Sequence, residues 1–206
     1  RVIKSQVNNS CIWRVQYFGH NSIEEDAQAR VIGNYVESPF YLEMRTNQQL
    51  GYIVWGGASS FKNTSFFHFI IQSGDYPADY LADQTEEFTI TLPDSLRQLP
   101  DEEFLIIKNA VIEKIKEKPT SIAEKAGKYY TMAFDYEGNF SRNEQLIEAV
   151  NNLSKEEAIR VLSRVLDDKS LERVSVLLYA KEHAIGKDIK SSFNDINKWK
   201  NTRNYQ

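Results

Sequence analysis

The sequence predicts an α+β domain in which one antiparallel or mixed sheet carries helices mainly on one face. Strand-like segments rich in β-branched and aromatic residues lie at both ends of a helix-rich chain, in the order β-α-β-β-helices-β. Two of these segments are adjacent and separated by a short turn, which predicts an antiparallel pair. The helices follow one another without intervening strands, and this argues against a doubly wound parallel sheet.

The first strand is predicted over residues 11–19, where the sequence CIWRVQYFG combines β-branched and aromatic side chains. Ser22 is followed three residues later by Glu25, the spacing of a capping box that begins a helix. That helix is expected to end near Ser38 and Pro39, because the residue before a proline disfavours the α region.

The antiparallel pair is predicted from residues 52–55 and 66–73. Gly56 and Gly57 predict a bulge or a close backbone approach in the first strand. Residues 62–64 have the composition of a hairpin turn. The second strand is almost wholly apolar, so we expect it to be central and covered on both faces.

From Pro77 onward the apolar residues recur at helical spacing. Pro93 is expected to kink or break the first helix of this run. Alternating apolar residues over 171–180 predict a final strand. The helices are predicted over residues 77–99, 101–118, 122–134, 142–150 and 154–166.

The chain is predicted to form one domain over residues 10–184, after a leading segment 1–9 and before a polar tail 185–206. In the tail, Phe193, Ile196 and Trp199 are candidates for docking on the body. Because the chain begins at Arg1 without a visible signal peptide, we expect it to be a piece of a longer protein.

Composition excludes several classes of protein. One cysteine among 206 residues cannot build a disulfide framework. A formal charge of -4 argues against nucleic acid as a partner. No apolar run approaches the ~18 residues of a membrane span, so no membrane partner is expected. The single cysteine fits a cytoplasmic or a bacterial periplasmic location equally well.

The histidines do not predict a metal site. His20, His68 and His183 lie on different predicted elements, and none has a second histidine one helical turn away. His20 has Glu25 downstream, but that carboxylate is already explained by capping. His68 lies inside an apolar strand and is expected to be a core residue.

No catalytic nucleophile is predicted either. The chain has no Gly-x-Ser-x-Gly elbow and no phosphate-binding glycine motif. Cys11 lies in a strand without a neighbouring base, which favours an inert thiol. Acidic pairs such as Glu86 and Glu87 are assigned to helix starts and solvated faces, since adjacent residues on a helix do not face each other.

The segment MRTNQQLGY at 44–52 differs, since it brings a cation, amides and a phenol to one junction. The guanidinium of Arg45 suits a peptide carbonyl, and the phenol of Tyr52 can donate a hydrogen bond to a developing oxyanion. The alternative is a purely structural turn in which Gly51 permits tight geometry, Arg45 caps carbonyls and Tyr52 packs.

The same segment resembles the last of the four homologous domains of the pitrilysin and insulin-degrading enzyme family. The resemblance spans roughly residues 10 to 180 and implies the fold of a metallopeptidase half-domain. The segments SPFY at 38–41, FIIQS at 69–73 and LSKEE at 153–157 support it. Its specific part is the string RTxxQLGYxV, formed by Arg45, Thr46, Gln49, Leu50, Gly51, Tyr52 and Val54.

This resemblance implies a chamber-forming zinc peptidase whose metal is bound in another domain by an inverted His-x-x-Glu-His motif, which this chain lacks. It implies that Arg45 and Tyr52 contact the substrate backbone near the scissile bond and stabilise the tetrahedral intermediate. The implied partners are peptide substrates and the N-terminal catalytic half of the same polypeptide, and a homo-oligomer is left open. The isolated chain is expected to be inactive.

Two alternatives remain at this point. A non-catalytic structural or assembly homologue would have the same fold without the zinc motif in its parent. A stand-alone peptide-binding module would instead use an exposed sheet edge.

Overall fold

The computed structural model describes residues 1–20, 22–61, 64–167, 172–192 and 195–201. The strands are β1 (Val2–Lys4), β2 (Ser10–His20), β3 (Ile53–Phe61), β4 (Thr64–Ser73) and β5 (Arg173–Tyr179). The α-helices are α1 (Ile23–Tyr41), α2 (Ala78–Gln98), α3 (Asp101–Lys116), α4 (Ile122–Tyr130), α5 (Arg142–Asn152), α6 (Lys155–Val165) and α7 (Ile196–Asn201). Two π-helical turns, Leu42–Asn47 and Thr131–Asp135, extend α1 and α4.

Within these ranges, five strands form one mixed sheet in the order β1-β5-β2-β4-β3. β2 is antiparallel to both β4 and β5, and β3 and β4 form the predicted antiparallel pair. The predicted α+β class with a mixed sheet is therefore confirmed. The sequence analysis did not predict β1, which pairs in parallel with β5 at one edge. Lys62 and Asn63 of the predicted turn lie outside the described residues.

The sheet has two unlike faces, which we call inner and outer. The inner face supplies the core with Ile12, Val54, Phe67, Phe69 and Ile71, all of them buried. α1, α2 and α6 pack on this face, as the prediction of one-sided helices requires.

β4 is an inner strand of the sheet, as expected, but the expectation that it is covered on both faces was wrong, because its outward side chains other than His68 are only half-buried. Phe66 and Ile70 point to the outer face and are half-buried. The apolar run of β4 thus reflects two different environments: a helix-covered core and an outer face on which neighbouring strand residues such as Trp55 cover part of the surface.

The predicted helix end at Ser38 and Pro39 was also wrong, since α1 continues to Tyr41 and then into the π-helical turn. Phe40 and Met44 are fully buried beyond the proline. Burial of these two large side chains offsets the roughly 3 kcal/mol that an interior proline costs a helix.

Pro93 likewise does not break α2, which is continuous from Ala78 to Gln98. The proline is preceded by Leu92 and followed by Leu96, both of which are buried in the core. Burial of apolar side chains on both sides of the proline therefore keeps α2 continuous, as it does for α1.

Gly56 confirms the predicted close approach. A Cβ added there would lie 2.7 Å from the ring of Phe40, so α1 packs directly against the backbone of β3. The predicted bulge is not found in β3, whose pairing with β4 is regular. The register shift of this sheet lies instead in β2, between Tyr17 and Gly19.

The helix start predicted from the capping box at Ser22 is confirmed, and α6 begins in the same way. The Ser22 hydroxyl accepts a hydrogen bond from the Glu25 N–H at 3.1 Å, and Ser154 accepts one from Glu157 at the same distance. These side chains satisfy backbone donors that a helix leaves unpaired at its beginning.

The tail contains α7, in which Ile196 is exposed rather than docked. Phe193 and the side chain of Trp199 lie outside the described residues. Upstream of α7, the Ser191 hydroxyl accepts a hydrogen bond from the Val2 N–H at 2.8 Å. Among the described residues, no helix is both long and apolar enough to cross a bilayer.

Candidate functional site

Residues 42–52 connect the end of α1 to the start of β3, and we call this segment the corner. Its backbone is closed by wide hydrogen-bonded turns. The Gln48 N–H donates to the Glu43 carbonyl, and the Leu50 N–H donates to the Met44 carbonyl, each at 2.9 Å. The chain therefore leaves the helix through a π-helical turn rather than through an ordinary cap.

Two apolar side chains anchor the corner in the core. Met44 and Leu50 are both buried, so the backbone between them has little freedom to move. Arg45 lies between these anchors and is half-buried, whereas Tyr52 is 85% exposed. The core thus fixes the position of the backbone and leaves both candidate side chains accessible.

The backbone of the corner is unusually tight at two residues. A Cβ added to Gly51 would lie 2.0 Å from the Gln72 carbonyl oxygen of β4, so only glycine fits. This confirms the tight geometry that the sequence predicted for Gly51. Gln49 has a positive φ of 53°, for which its residue type gave no signal.

The structure brings the two predicted site residues together. The guanidinium carbon of Arg45 lies 5.6 Å from the centre of the Tyr52 ring, within the range of a cation–π contact. None of the salt bridges found among the described residues involves Arg45. Its charge is therefore not neutralised by a carboxylate in that part of the chain.

Glu43 stabilises the corner by hydrogen bonds within the segment, a role that the sequence analysis did not predict. Its carboxylate accepts hydrogen bonds from the side-chain amides of Gln48 at 2.9 Å and Asn47 at 2.8 Å. The hydrogen bond from Gln48, and then that from Asn47, lowers the pKa of Glu43. The four-residue spacing of Glu43 and Asn47 was the signal available in the sequence.

A cavity of about 620 Å³ lies beside the corner, along the free edge of β3. Pro39, Tyr41 and Leu42 line it from the helix side, and Val54 and Trp55 line it from the strand. Its lining shares Leu42 with the corner and is otherwise formed by the neighbouring ends of α1 and β3. The arrangement can therefore bind backbone oxygens through the polar pair and an apolar side chain through the cavity.

The histidines of the chain lie apart from one another in the described structure. No group of three metal-binding side chains occurs among the described residues. His68 is buried and stacks on Trp55, with 3.8 Å between ring centres, and burial lowers its pKa to about 4. His183 lies 2.8 Å from the hydroxyl of Ser10. The side chain of His20 lies outside the described residues.

Cys11 lies in β2, where it is half-buried. Burial raises the pKa of its thiol, which disfavours the reactive thiolate. The strand register places it on the outer face of the sheet, opposite Gln72 and Leu178.

A second arginine centre lies under the inner face. Arg14 is buried and contacts Glu86 at 2.5 Å and Thr89 at 3.3 Å. Arg173 contacts the same Glu86 carboxylate at 3.0 Å. The assignment of Glu86 to a solvated helix face was therefore wrong, because this carboxylate joins α2 to β2 and β5.

Comparisons with known proteins agree with this architecture. The sequence model of the family described as "PQQ synthase PqqF-like, C-terminal lobe domain 4" matches residues 31–130, which contain the corner. Human insulin-degrading enzyme is 28% identical over 182 residues, covering 87% of this chain and 18% of its own. Protease 3 of Escherichia coli K12 is 30% identical over 110 residues, or 53% of this chain and 11% of its own. The chain thus spans about a fifth or less of the length of these curated relatives.

Solved structures show the same fold. The crystal structure of pitrilysin superposes with a TM-score of 0.75 at 21% identity, covering 90% of this chain and 20% of that one. The structure titled as a peptidase M16 inactive domain, from Pseudomonas fluorescens, gives 0.64 at 14% identity, with 87% of this chain and 42% of that one covered. At these identities the likeness concerns the fold alone.

Proposed function

We propose that this chain, which is similar in sequence to human insulin-degrading enzyme and to Protease 3 of Escherichia coli, is the C-terminal, substrate-contacting domain of a zinc-dependent peptidase. In this proposal the parent protein degrades peptides in a chamber that this domain forms with an N-terminal catalytic half. Arg45 and Tyr52 contact the substrate there. The homology supports the peptidase family, and the geometry of the corner supports the contact role.

The observation that carries the proposal is the pairing of an accessible phenol with a cation that has no carboxylate partner among the described residues. The guanidinium carbon of Arg45 lies 5.6 Å from the centre of the Tyr52 ring. The buried side chains of Met44 and Leu50 anchor the backbone of the corner. The Arg45 guanidinium would donate to a substrate carbonyl, and the Tyr52 hydroxyl would donate to the oxygen that becomes negative in the transition state. Groups fixed before the reaction need no reorganisation during it.

The proposal assigns no metal to this chain. The described residues offer no group of three ligands, so the zinc is placed in the catalytic half. Because the zinc site is placed in the other half, we expect that the isolated chain, supplied with zinc, does not cleave a fluorogenic peptide. Chelator-sensitive cleavage by the isolated chain would contradict that assignment.

The test uses the full-length parent with Tyr52→Phe, which removes one hydroxyl and keeps the ring. Loss of an oxyanion donor lowers kcat by about 10- to 1000-fold. Zinc content per protein should stay the same, because Tyr52 does not bind the metal. Tyr80→Phe in α2 is the matched control, since it removes a hydroxyl far along the chain from the corner. Unchanged kcat in the Tyr52 variant would remove it from the mechanism.

The second candidate is a non-catalytic structural or assembly role. One observation favours it: a structure with this fold is titled an inactive domain. The two candidates differ in the parent protein, which should cleave a fluorogenic peptide in a chelator-sensitive manner if it is a zinc peptidase. A folded parent without such cleavage would support the structural role instead.

A further inference from the structure

Arg45 leaves the backbone inside a helical turn that is wider than that of an α-helix. The Gln48 N–H donates to the Glu43 carbonyl five residues back, and the Leu50 N–H donates to the Met44 carbonyl six residues back. An α-helix joins residues four apart, so a side chain on this turn points in a direction that an ordinary helix would not give it. The interactions that keep the turn wide therefore bear on the direction of the Arg45 side chain.

The carboxylate of Glu43 stabilises this wide turn. Its Oε1 accepts a hydrogen bond from the Gln48 side-chain amide at 2.9 Å, and its Oε2 accepts one from the Asn47 amide at 2.8 Å. Gln48 is therefore bound to Glu43 twice, through the backbone and through the side chain. Because the acceptor is ionised, the side-chain hydrogen bonds are stronger than those between neutral groups. All three hydrogen bonds span the turn that contains Arg45.

Glu43 does not neutralise the charge of Arg45. Residues two apart on a helical turn do not face each other. No salt bridge found among the described residues joins these two side chains, and the hydrogen bonds that lower the pKa of Glu43 come from Gln48 and then from Asn47. The Arg45 guanidinium lies instead over the Tyr52 ring. Glu43 thus acts on the turn and leaves the cation available.

We propose that Glu43 is a positioning residue, which directs Arg45 toward Tyr52 and the substrate by keeping the turn wide. Because Arg45 contacts the substrate backbone only in the proposed function, this role of Glu43 rests on that proposal. Without the carboxylate the turn can shorten to the bonding of an α-helix, and Arg45 then leaves the backbone in another direction. A misplacement of about 1 Å at a catalytic contact can cost about 100-fold in rate.

A double-mutant cycle in the full-length parent tests this role. kcat/KM for a fluorogenic peptide is measured for Glu43→Ala, for Arg45→Ala and for the double variant. Glu43→Ala should lower kcat/KM about 10-fold, because Arg45 is misplaced. In the Arg45→Ala background the same substitution should have no further effect, since Glu43 acts through Arg45. A residue that only stabilises the domain would lower kcat/KM by the same factor in both backgrounds.

Glu124→Ala is the matched control for the loss of a hydrogen-bonded carboxylate. Glu124 accepts hydrogen bonds from the N–H and the hydroxyl of Thr120 at 2.7 and 3.0 Å, but it lies in the first turn of α4, outside the corner. Its removal should leave kcat/KM unchanged. The zinc content and circular dichroism of every variant check that it is loaded and folded.

Gln48→Ala is a second variant, which keeps the Glu43 carboxylate and removes one of its two donors. It should lower kcat/KM less than Glu43→Ala does, and its effect should also disappear in the Arg45→Ala background. Should Glu43→Ala not fold, the cycle of Gln48 with Arg45 gives the same test.

The possible results distinguish this role from the proposed function. Unchanged kcat/KM in Arg45→Ala would overturn both. If Arg45→Ala is impaired but Glu43→Ala is not, or if Glu43→Ala costs the same factor with and without Arg45, the positioning role is wrong and the proposed function stands. A loss from Glu43→Ala that disappears without Arg45 supports both.

Discussion

Two arginines of this domain occupy opposite environments. Arg14 is buried under the sheet, where Glu86 and Thr89 accept its hydrogen bonds and Arg173 shares the Glu86 carboxylate. Burial lowers the pKa of Arg14, and the charge of Glu86 raises it in turn. Arg45 is only half-buried at the corner, where it lies against a phenol ring and has no carboxylate partner among the described residues.

Arg14 therefore joins secondary-structure elements, whereas Arg45 is available to bind another molecule. A buried guanidinium must be paired, and removing its partner leaves an uncompensated charge. A surface guanidinium needs no partner for stability, so one that is rigidly placed and unpaired keeps its binding capacity. We therefore expect substitutions at the buried arginine centre to lower the free energy of unfolding most, and substitutions of the side chains of the corner to lower it least.

Glu86→Ala should have the largest effect. It leaves Arg14 buried beside Arg173 without the carboxylate that both contact. Breaking a buried pair in this way lowers the free energy of unfolding by about 3–5 kcal/mol, measured by chemical denaturation. Glu113→Ala, which removes an exposed i,i+3 partner of Lys116, is the control and should change it by about 0.5 kcal/mol or less. Similar losses in both variants would mean that Glu86 is not a structural partner.

Gly51→Ala should come next. The added methyl group would meet the Gln72 carbonyl, so the backbone between the corner and β4 must shift. Overpacking of this kind costs about 1–3 kcal/mol of unfolding free energy. Gly127→Ala is the control, because a Cβ there meets nothing within 4 Å. That control should be neutral or slightly stabilising, since alanine favours a helix. A neutral Gly51→Ala would show that the corner is looser than its geometry indicates.

Glu43→Gln should have a smaller effect that depends on pH. The neutral amide is a weaker acceptor for Asn47 and Gln48, at a cost of about 1 kcal/mol near neutral pH. Folding lowers the pKa of Glu43 from 4.5, so the carboxylate stabilises the folded state above that pH and loses this effect as the pH falls. The gap between wild type and variant should therefore narrow on acidification. A gap that stays constant down to pH 3 would contradict the carboxylate's role.

Arg45→Ala should change stability least, by about 0.5 kcal/mol or less, because only a cation–π contact at the surface is lost. In the full-length parent the same variant should lower kcat/KM clearly while its denaturation midpoint hardly moves. A destabilisation as large as that of Glu86→Ala would make Arg45 a structural residue and remove the contrast between the two arginines.

Much of the fold was predictable because its signals are local. β-branched and aromatic residues predicted β2, an almost wholly apolar run predicted β4, and alternating apolar residues predicted β5. The serine-glutamate spacing at Ser22 predicted the start of α1. Helix ends were less predictable. Burial of Phe40 beyond Pro39 outweighs the tendency of the residue before a proline to avoid the α region. β1 has only three residues, and its pairing partner lies near the other end of the chain, so nothing in its own sequence identifies it.

The sequence predicted that Arg45 and Tyr52 share one junction, but it did not predict the backbone features that support them. The position of Arg45 near a helix end and of Tyr52 at the start of a strand followed from the order of elements, and the structure brings them together. The π-helical turn, the left-handed Gln49 and the Glu43 carboxylate were missed. Each depends on how the backbone turns between two buried anchors, which a one-dimensional pattern does not contain.

β5 lies between β1 and β2 in the sheet, although it is the last of the five strands to be synthesised. The backbone nitrogen of Arg1 donates to the Ser175 carbonyl at 2.6 Å, across 174 positions of sequence. During synthesis β2 therefore keeps one row of unpaired backbone groups until the chain has passed Tyr179. Exposed strand edges template aggregation, and such distant pairings form slowly. A nascent or truncated chain that ends before Arg173 is thus expected to need protection that the complete sheet does not.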